Sequence, residues 1–300
     1  MKLALGTAQF GLDYGVSNKS GKVPYDEVES IVELALSNGV DLFDTAPAYG
    51  DSEQVLGTCL REDTGAVVTK TSRIESASID RKSVELVEQS FYQSLRRLKR
   101  HSIYAVMIHN PVDLVKPGIE HLIDLLLELK AAGKISRVGA SLYTPEQLDL
   151  VLKEFPIDLV QVPVNLLDQR LLRGGQLARC RKRNVEVHAR SIFLQGFLLA
   201  EFDSLPIWFE PYRKTHVAVR KFTKQCGLTP METAIAFISS LNVIDYAVCG
   251  VANIHQFRAL LKTVERIQST ELDKIDFSKI ACDDENLISP NRWKELRERQ

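Results

Sequence analysis

The sequence predicts an α/β fold, specifically a single-domain (β/α)8 barrel with a C-terminal tail and long loops over its catalytic face. The main observation is that short apolar runs alternate with longer amphipathic stretches eight times along 300 residues. Eight repeats leave about 37 residues for each βα unit, whereas a doubly wound sheet usually has fewer strands. The composition, 45% hydrophobic and 26% charged, is that of a soluble globular domain.

Short runs rich in Val, Ile and Leu predict the eight strands. Most of them show little alternation of apolar and polar residues, as expected for parallel strands that are buried on both faces. They cover residues 3–6, 40–43, 66–69, 103–108, 136–140, 159–162, 185–189 and 244–249. The order along the chain therefore predicts a parallel sheet that closes on itself.

Stretches with helical periodicity lie between these runs and predict the outer layer of the barrel. They cover residues 25–37, 82–99, 119–132, 145–154, 171–183 and 254–267. Gly39 ends the first of them. Thr144-Pro145 and Thr229-Pro230 predict two helix N-termini, with proline at the first helical position.

The predicted TIM barrel occupies residues 1–270, and residues 271–300 form a C-terminal extension that packs on it. Residues 201–213 are too long and irregular for a standard turn, so we expect them to lie over the catalytic face. Four aromatic residues in these two segments could form a substrate wall or pack only on one another. They are Trp208, Phe209, Tyr212 and Trp293.

Charge and cysteine content exclude several functional classes. The chain has 38 basic and 39 acidic side chains, without the basic surplus usual in nucleic-acid binders. No apolar run reaches about 18 residues, and no signal-peptide pattern precedes the first strand. The five cysteines form no C-x-x-C pair, which favours reduced thiols in a cytoplasmic protein. The predicted partner is a small molecule, with no nucleic acid, membrane or metal.

Side chains capable of acid–base chemistry close three neighbouring predicted strands. Asp44 ends the second strand, with Tyr49 in the loop that follows, Lys70 ends the third and His109 ends the fourth. Reacting groups of (β/α)8 barrels lie at the C-terminal ends of the strands, so we expect these four to converge. The alternative is that they are ordinary polar residues where strands meet solvent.

An acid, a phenol, an amine and an imidazole together suit proton donation to a carbonyl oxygen. A free tyrosine has a pKa of about 10, and a nearby ammonium group favours its ionised form. A carboxylate paired with that ammonium offsets the cost of burying it. A neutral histidine can orient the carbonyl by hydrogen bonding without adding charge.

Residues 41–50 read Asp-Leu-Phe-Asp-Thr-Ala-Pro-Ala-Tyr-Gly, which resembles the Asp-Thr-Ala-x-x-Tyr-Gly signature of the aldo-keto reductase family. Residues 5–11 resemble the opening strand of that family, and residues 94–109 resemble the segment entering its fourth strand. The resemblance extends over nearly the whole chain. It implies a catalytic tetrad of Asp44, Tyr49, Lys70 and His109, with Tyr49 as the general acid/base.

The resemblance also implies a nicotinamide dinucleotide, which would supply the hydride. Matching positions assign a cofactor-binding set of Ser141, Gln161, Arg190, Ser191, Leu194, Gln195, Gly196, Val251, Asn253 and Gln256. Leu142 replaces an asparagine that usually bonds the carboxamide. NADPH is the family default, but Gly250 and Gln256 replace basic groups that some members use for the 2′-phosphate, so NADH is possible.

The predicted activity is NAD(P)-dependent interconversion of a carbonyl compound (an aldehyde, ketone or sugar) and an alcohol. A looser resemblance to reductases encoded with bacterial surface-sugar pathways points to a sugar-like substrate. The alternative is a non-catalytic or weakly catalytic subunit that senses NADPH on the same fold, because fold alone does not fix function.

Overall fold

Eight parallel strands pair in chain order, and the last pairs with the first to close a barrel. The computed structural model describes residues 1–16, 18 and 20–293. The strands are β1 (Lys2–Gly6), β2 (Leu42–Asp44), β3 (Ala66–Lys70), β4 (Ile103–Ile108), β5 (Ile135–Ser141), β6 (Leu159–Pro163), β7 (Glu186–Arg190) and β8 (Tyr246–Gly250). The predicted (β/α)8 barrel is thus confirmed.

Helices connect the strands, as parallel pairing requires. They are α1 (Ala8–Gly11), α2 (Tyr25–Ser37), α3 (Ser52–Cys59), α4 (Arg81–Leu98), α5 (Ile119–Ala131), α6 (Pro145–Glu154), α7 (Arg170–Arg173), α8 (Gln176–Lys182), α9 (Arg213–Gln225), α10 (Pro230–Ser240), α11 (Ile254–Gln268) and α12 (Glu285–Ile288). No helix among these described residues combines the length and apolar character needed to cross a membrane.

Local capping chemistry sets two helix starts as predicted. The Thr144 and Thr229 side chains each accept a hydrogen bond from the backbone N–H three residues later. The side chains of those later residues, Gln147 and Glu232, accept from the backbone N–H of the threonines in return. Such a capping box satisfies two N–H groups that a helix start otherwise leaves unpaired. The two predicted N-termini are confirmed.

Elsewhere the helical pattern differs from the prediction. A single helix over residues 171–183 is wrong, because Gly174 and Gly175 separate α7 from α8 and Gly175 has a φ of 75°. The pattern does not predict α3 and α9. The sequence of α9 is rich in Lys and Arg, and its buried residues are only His216, Val219 and Thr223.

The interior of the barrel is filled with side chains rather than open. Six buried residues form an inner core, namely Ala4, Leu42, Val68, Ala105, Met107 and Leu159. A larger apolar core lies between the strands and the outer helices. The inner core separates the polar groups at the carboxyl ends of the strands from those at the amino ends.

A polar network lies where β4, β5 and β7 begin. The Tyr104 hydroxyl donates to Glu186 Oε2 at 2.7 Å and accepts from Arg137 Nε at 2.8 Å. His188 Nε2 lies 2.6 Å from Glu186 Oε1. Buried charge is stable only when it is paired in this way, so the network holds three strands together at this end.

The segment after α11 contacts the barrel through backbone and side-chain bonds. Gln169 Nε2 donates to the Phe277 carbonyl at 2.8 Å, and the Cys282 N–H donates to the Leu167 carbonyl at 2.9 Å. Trp293 Nε1 donates to the Leu287 carbonyl at 3.0 Å. Of the predicted extension over residues 271–300, residues 294–300 lie outside the described residues.

The close approach of α3 to α4 generates a test of the packing. A Cβ on Gly57 would overlap the Arg97 carbonyl oxygen and lie 2.7 Å from the Leu98 carbonyl carbon. We expect Gly57→Ala to lower the free energy of unfolding by about 1–3 kcal/mol, as overpacking does. Urea denaturation measures this. The control is Thr58→Ala, an exposed neighbour that should change it by less than about 0.5 kcal/mol. Equal stabilities of the two variants would contradict the packing argument.

Candidate active site

A cavity of about 540 Å³ opens at the carboxyl ends of the strands. Residues at the ends of seven strands line it, namely Gly6, Asp44, His109, Ser141, Gln161, Arg190 and Gly250. The loop after β7 and the start of α11 extend its wall. The predicted catalytic face is therefore where the concave surface lies.

Lys70 and Asp44 form a buried ion pair at the floor of this cavity. Lys70 Nζ lies 2.9 Å and 3.0 Å from the two Asp44 carboxylate oxygens and donates to the Thr45 carbonyl at 2.9 Å. Both side chains are almost fully buried. The three donors of the ammonium group thus have three acceptors, which is the condition under which a buried charge is tolerated.

Tyr49 and His109 complete the predicted group of four. Lys70 Nζ lies 4.9 Å from the centre of the Tyr49 ring. The His109 ring meets Tyr49 edge-on, with 6.0 Å between ring centres. Tyr49, His109 and Asp44 line the cavity, whereas Lys70 lies behind them. The structure brings all four residues together.

The position of Tyr49 depends on a close backbone contact between its loop and α1. A Cβ on Gly11 would overlap the Tyr49 carbonyl oxygen and lie 2.6 Å from the Ser52 nitrogen. Gly50 has a φ of 57°, and a Cβ there would overlap the Gly11 carbonyl oxygen. Only glycine allows this approach without cost at both positions. The two glycines therefore fix the loop that carries Tyr49.

Gln161 makes a contact that the sequence does not predict. Its Nε2 donates to Asp44 Oδ1 at 2.8 Å, and both side chains are buried. This bond joins β6 to β2 across the barrel. The resemblance assigns Gln161 a cofactor contact, and in the structure its side-chain amide donates a hydrogen bond to the Asp44 carboxylate.

Burial and neighbouring charges shift the pKa values of Tyr49 and Lys70 in opposite directions. Burial raises the pKa of Tyr49, Lys70 lowers it, and the net pKa lies above the ordinary value. Lys70 therefore lowers the pKa of Tyr49 as expected, but burial raises it by more. Burial alone would lower the pKa of Lys70, but Asp44 and Tyr49 raise it above its usual range. At neutral pH the phenol is protonated and the amine is charged.

Arg190 is held against a second aromatic residue in the cavity. Its guanidinium carbon lies 4.3 Å from the centre of the Tyr143 ring, and one terminal nitrogen donates to the Leu142 carbonyl at 3.0 Å. Stacking on an aromatic face is a favourable use of the flat guanidinium group. The Leu142 side chain is buried in the apolar core, so only its backbone contributes here.

The loop after β7 has an unusual backbone. Ser191, Leu194 and Gln195 have φ values of 58°, 48° and 50°, and Gly196 has 98°. Ser191, Gln195 and Gly196 line the cavity, whereas the Leu194 side chain is buried. Left-handed backbone at non-glycine residues is costly and is concentrated at functional sites. Backbone of this kind can present N–H groups to an anion.

Three backbone N–H groups at the start of α11 are paired within the protein. Gln256 Oε1 accepts from the Ala252 N–H at 2.8 Å, and Asn253 Oδ1 accepts from the Gln256 N–H at 2.9 Å. The Ile254 N–H donates to Glu27 Oε1 at 2.9 Å. Val251 and Gln256 line the cavity, but Asn253 serves as the N-cap.

The remaining residues fall into two groups, those that line the cavity and an aromatic cluster that packs on itself. Ser141 lines the cavity, and so do several residues that the sequence does not predict as site residues, among them Gln9, Tyr14 and Tyr143. Gln9 and Tyr143 lie within three residues of the ends of β1 and β5, so the strand-end positions indicate them, whereas Tyr14 lies beyond α1 and no strand end indicates it. The aromatic group of residues 208, 209 and 293 packs on itself, with 5.0 Å between the Phe209 and Trp293 ring centres. That favours packing over a substrate wall.

Comparison with known proteins gives consistent matches. A family model described as "Aldo/keto reductase family" matches residues 2–280. The chain is 33% identical over 162 residues to the Bacillus subtilis aldo-keto reductase YhdN, covering 49% of this chain and 46% of that protein. It is 27% identical over 210 residues to the Escherichia coli NADH-specific methylglyoxal reductase, covering 61% and 64%.

A yeast protein and a solved structure extend the comparison. Identity to the Saccharomyces cerevisiae D-arabinose 1-dehydrogenase is 32% over 200 residues, covering 58% of each chain. The chain thus spans about half to two thirds of these relatives' lengths. An aldo-keto reductase from Bacillus halodurans, solved in its holo form, superposes with a TM-score of 0.72 at 20% identity, covering 99% of this chain and 91% of that one. This structural likeness concerns the fold.

The environment of His109 generates a test by titration. Burial, followed by the charge of Lys70, lowers the pKa of His109 to about 4. The unfolded chain then binds more protons between pH 4 and its unfolded value, about 6.5, so this group's contribution to stability rises with pH across that window. We expect NMR titration of the His109 ring to show a midpoint near 4. A midpoint above 6 would contradict the neutral imidazole assigned to His109.

Proposed function

Because the chain belongs to the aldo/keto reductase family, we propose that it is an oxidoreductase that interconverts a carbonyl compound and an alcohol by hydride transfer. One observation carries the proposal: Tyr49, His109 and Asp44 line the cavity, and Lys70 lies behind them, paired with Asp44. These are the groups needed to move a proton to or from a carbonyl oxygen. A nicotinamide dinucleotide, when bound, supplies the hydride.

Tyr49 is the proposed general acid in carbonyl reduction. Its pKa is raised by burial, so the phenol holds its proton at neutral pH and can donate it. Lys70 stabilises the phenolate that results, because an ammonium group close to the ring favours the ionised form. Asp44 keeps Lys70 charged and fixed in place. In alcohol oxidation the same phenolate accepts the proton.

His109 is proposed to orient the substrate. Its lowered pKa keeps the ring neutral at neutral pH, so it adds no charge that would compete with Lys70. A neutral imidazole can donate one hydrogen bond to a carbonyl oxygen. Its edge-on position beside Tyr49 places both groups on the same wall of the cavity.

Residues in the rest of the cavity fit a dinucleotide. Gln9 and Arg190 both line it, and each retains a buried polar atom without a partner among the described residues. Ser141 and Gln161 would hold the carboxamide, Arg190 would stack on the nicotinamide, and the backbone of residues 191–196 would hold the pyrophosphate. Val251, Asn253 and Gln256 would form the adenosine end. The resemblance implies NADPH as the default cofactor of the family and leaves NADH as the alternative.

The proposed substrate is a small aldehyde, ketone or sugar. Relatives named for methylglyoxal and D-arabinose support this class. All five cysteines are free thiols, which supports the proposed cytoplasmic location.

Removing the Tyr49 hydroxyl tests the mechanism. We expect Tyr49→Phe to lower kcat by about 10²–10⁴-fold, because general acid catalysis is lost, while dinucleotide binding persists. Turnover is followed by the absorbance of the reduced nicotinamide with a panel of aldehydes and sugars, and binding by quenching of intrinsic fluorescence. The control is Tyr143→Phe, which removes a hydroxyl from the same cavity without touching Lys70 and should retain most activity.

Two outcomes separate the alternatives. Undiminished turnover in Tyr49→Phe would contradict the proposed role of the phenol. Dinucleotide binding by the unmodified protein without turnover of any compound would favour the binding-subunit alternative instead.

Replacing Lys70 tests the charge argument. Since Lys70 lowers the pKa of Tyr49, Lys70→Met should raise it, and Asp44 would add to the rise. In alcohol oxidation, where Tyr49 accepts the proton, the rate should then reach half of its maximum at a higher pH than in the unmodified enzyme. The pH profile of kcat measures this. A profile that moves to lower pH would be inconsistent with the role given to Lys70.

A further inference from the structure

The start of α11 lines the part of the cavity that the proposed function assigns to the adenosine end of the dinucleotide. A helix N-terminus usually attracts an anion through its unpaired N–H groups and its dipole. Here two of those groups, the N–H groups of Ile254 and Gln256, already have partners within the protein. One partner is a carboxylate, Glu27 Oε1 from α2, 2.9 Å from the Ile254 nitrogen. Glu27 thus supplies the negative charge that a bound phosphate would otherwise supply.

The side chain of Gln256 is engaged at the same place. Gln256 Oε1 accepts a hydrogen bond from the Ala252 N–H at 2.8 Å. The backbone N–H of Gln256 donates to Asn253 Oδ1 at 2.9 Å. Gln256 lines the cavity as a neutral amide. Nearby lining residues Met231 and Leu260 are apolar.

The cations of α11 point elsewhere. Arg258 and Lys262 line a separate depression, together with Met1, Lys2 and Glu265. Among the described residues that line the main cavity, the one lysine or arginine is Arg190, which is stacked on Tyr143 at the end of β7. Among the described residues, those that line the α11 end are therefore neutral, and the Glu27 carboxylate lies outside this lining, bonded to the Ile254 N–H.

We propose that this end of the cavity selects a dinucleotide with a free 2′-hydroxyl, NADH over NADPH, and that Glu27 is a specificity-determining residue. The inference rests on the proposed function, since it assumes that the dinucleotide occupies this cavity. A ribose phosphate group carries a charge of about −1.5 to −2 at neutral pH, and the Glu27 carboxylate repels it. A ribose hydroxyl is neutral and meets no such repulsion.

Direct binding tests the inference. Dissociation constants of NADH and NADPH are measured by calorimetry on the purified 300-residue chain at low ionic strength, where charge effects are least screened. We expect the unmodified protein to bind NADH at least about tenfold more tightly than NADPH, a difference of about 1.4 kcal/mol. Glu27→Gln keeps an oxygen for the Ile254 N–H but removes the charge. It should reduce the ratio by about threefold or more, mainly through tighter NADPH binding.

Two further variants make the result specific. Glu29→Gln removes the same charge from an exposed position on α2 and should leave the ratio unchanged. Gln256→Arg places a cation on the cavity side of α11 and should strengthen NADPH binding relative to NADH, even if Glu27→Gln does not fold. A ratio that stays constant in both Glu27→Gln and Gln256→Arg would overturn the role of this end of the cavity.

The outcomes for the unmodified protein are also distinguishable. NADPH binding that equals or exceeds NADH binding would overturn the selectivity, and the proposed function would stand if Tyr49→Phe still abolished turnover. Failure of both dinucleotides to bind would remove the basis of the inference and the proposed function together.

Discussion

The buried ion pair between Lys70 and Asp44 is the constraint on which the site depends. A lone ammonium in this position would lose its proton to escape the cost of burial, and a lone carboxylate would gain one. Here the two groups are held together as an ion pair, and Thr45 and Gln161 supply further hydrogen bonds to it. Tyr49, His109 and the cavity floor are arranged around that pair. The apolar inner core below it shields the pair from water at the other end of the barrel.

Reacting groups of (β/α)8 barrels lie at the C-terminal ends of the strands, which explains why much of the fold and of the candidate site could be predicted from the sequence. Parallel strands, their order and the four polar residues that close them follow from local patterns and short motifs. Local patterns are weak in two places. The helix break at Gly174–Gly175 lies inside a stretch whose periodicity predicts one continuous helix, and α9 was not predicted because it buries few apolar residues.

The contacts that were not predicted join distant parts of the chain. Gln161 and Asp44 are 117 residues apart, and Glu27 and Ile254 are 227 apart. No periodicity or motif indicates such a pair, because it exists only once the barrel has closed. The net pKa of Tyr49 was missed for a similar reason, since it depends on how much burial opposes the charge of Lys70. Neighbouring residue types indicate the charge, but not the depth of burial.

The two halves of the barrel carry different groups of proposed site residues. The proposed acid–base residues come from β2, β3 and β4, whereas most of the proposed dinucleotide-binding residues come from β5 to β8 and the segments after them. The Gln161–Asp44 bond joins the two sets. Neither half alone holds both a proton donor and a place for a hydride donor. Catalysis would thus be a property of the closed ring of strands, and enzymatic activity would report on the pairing of β8 with β1 that closes it.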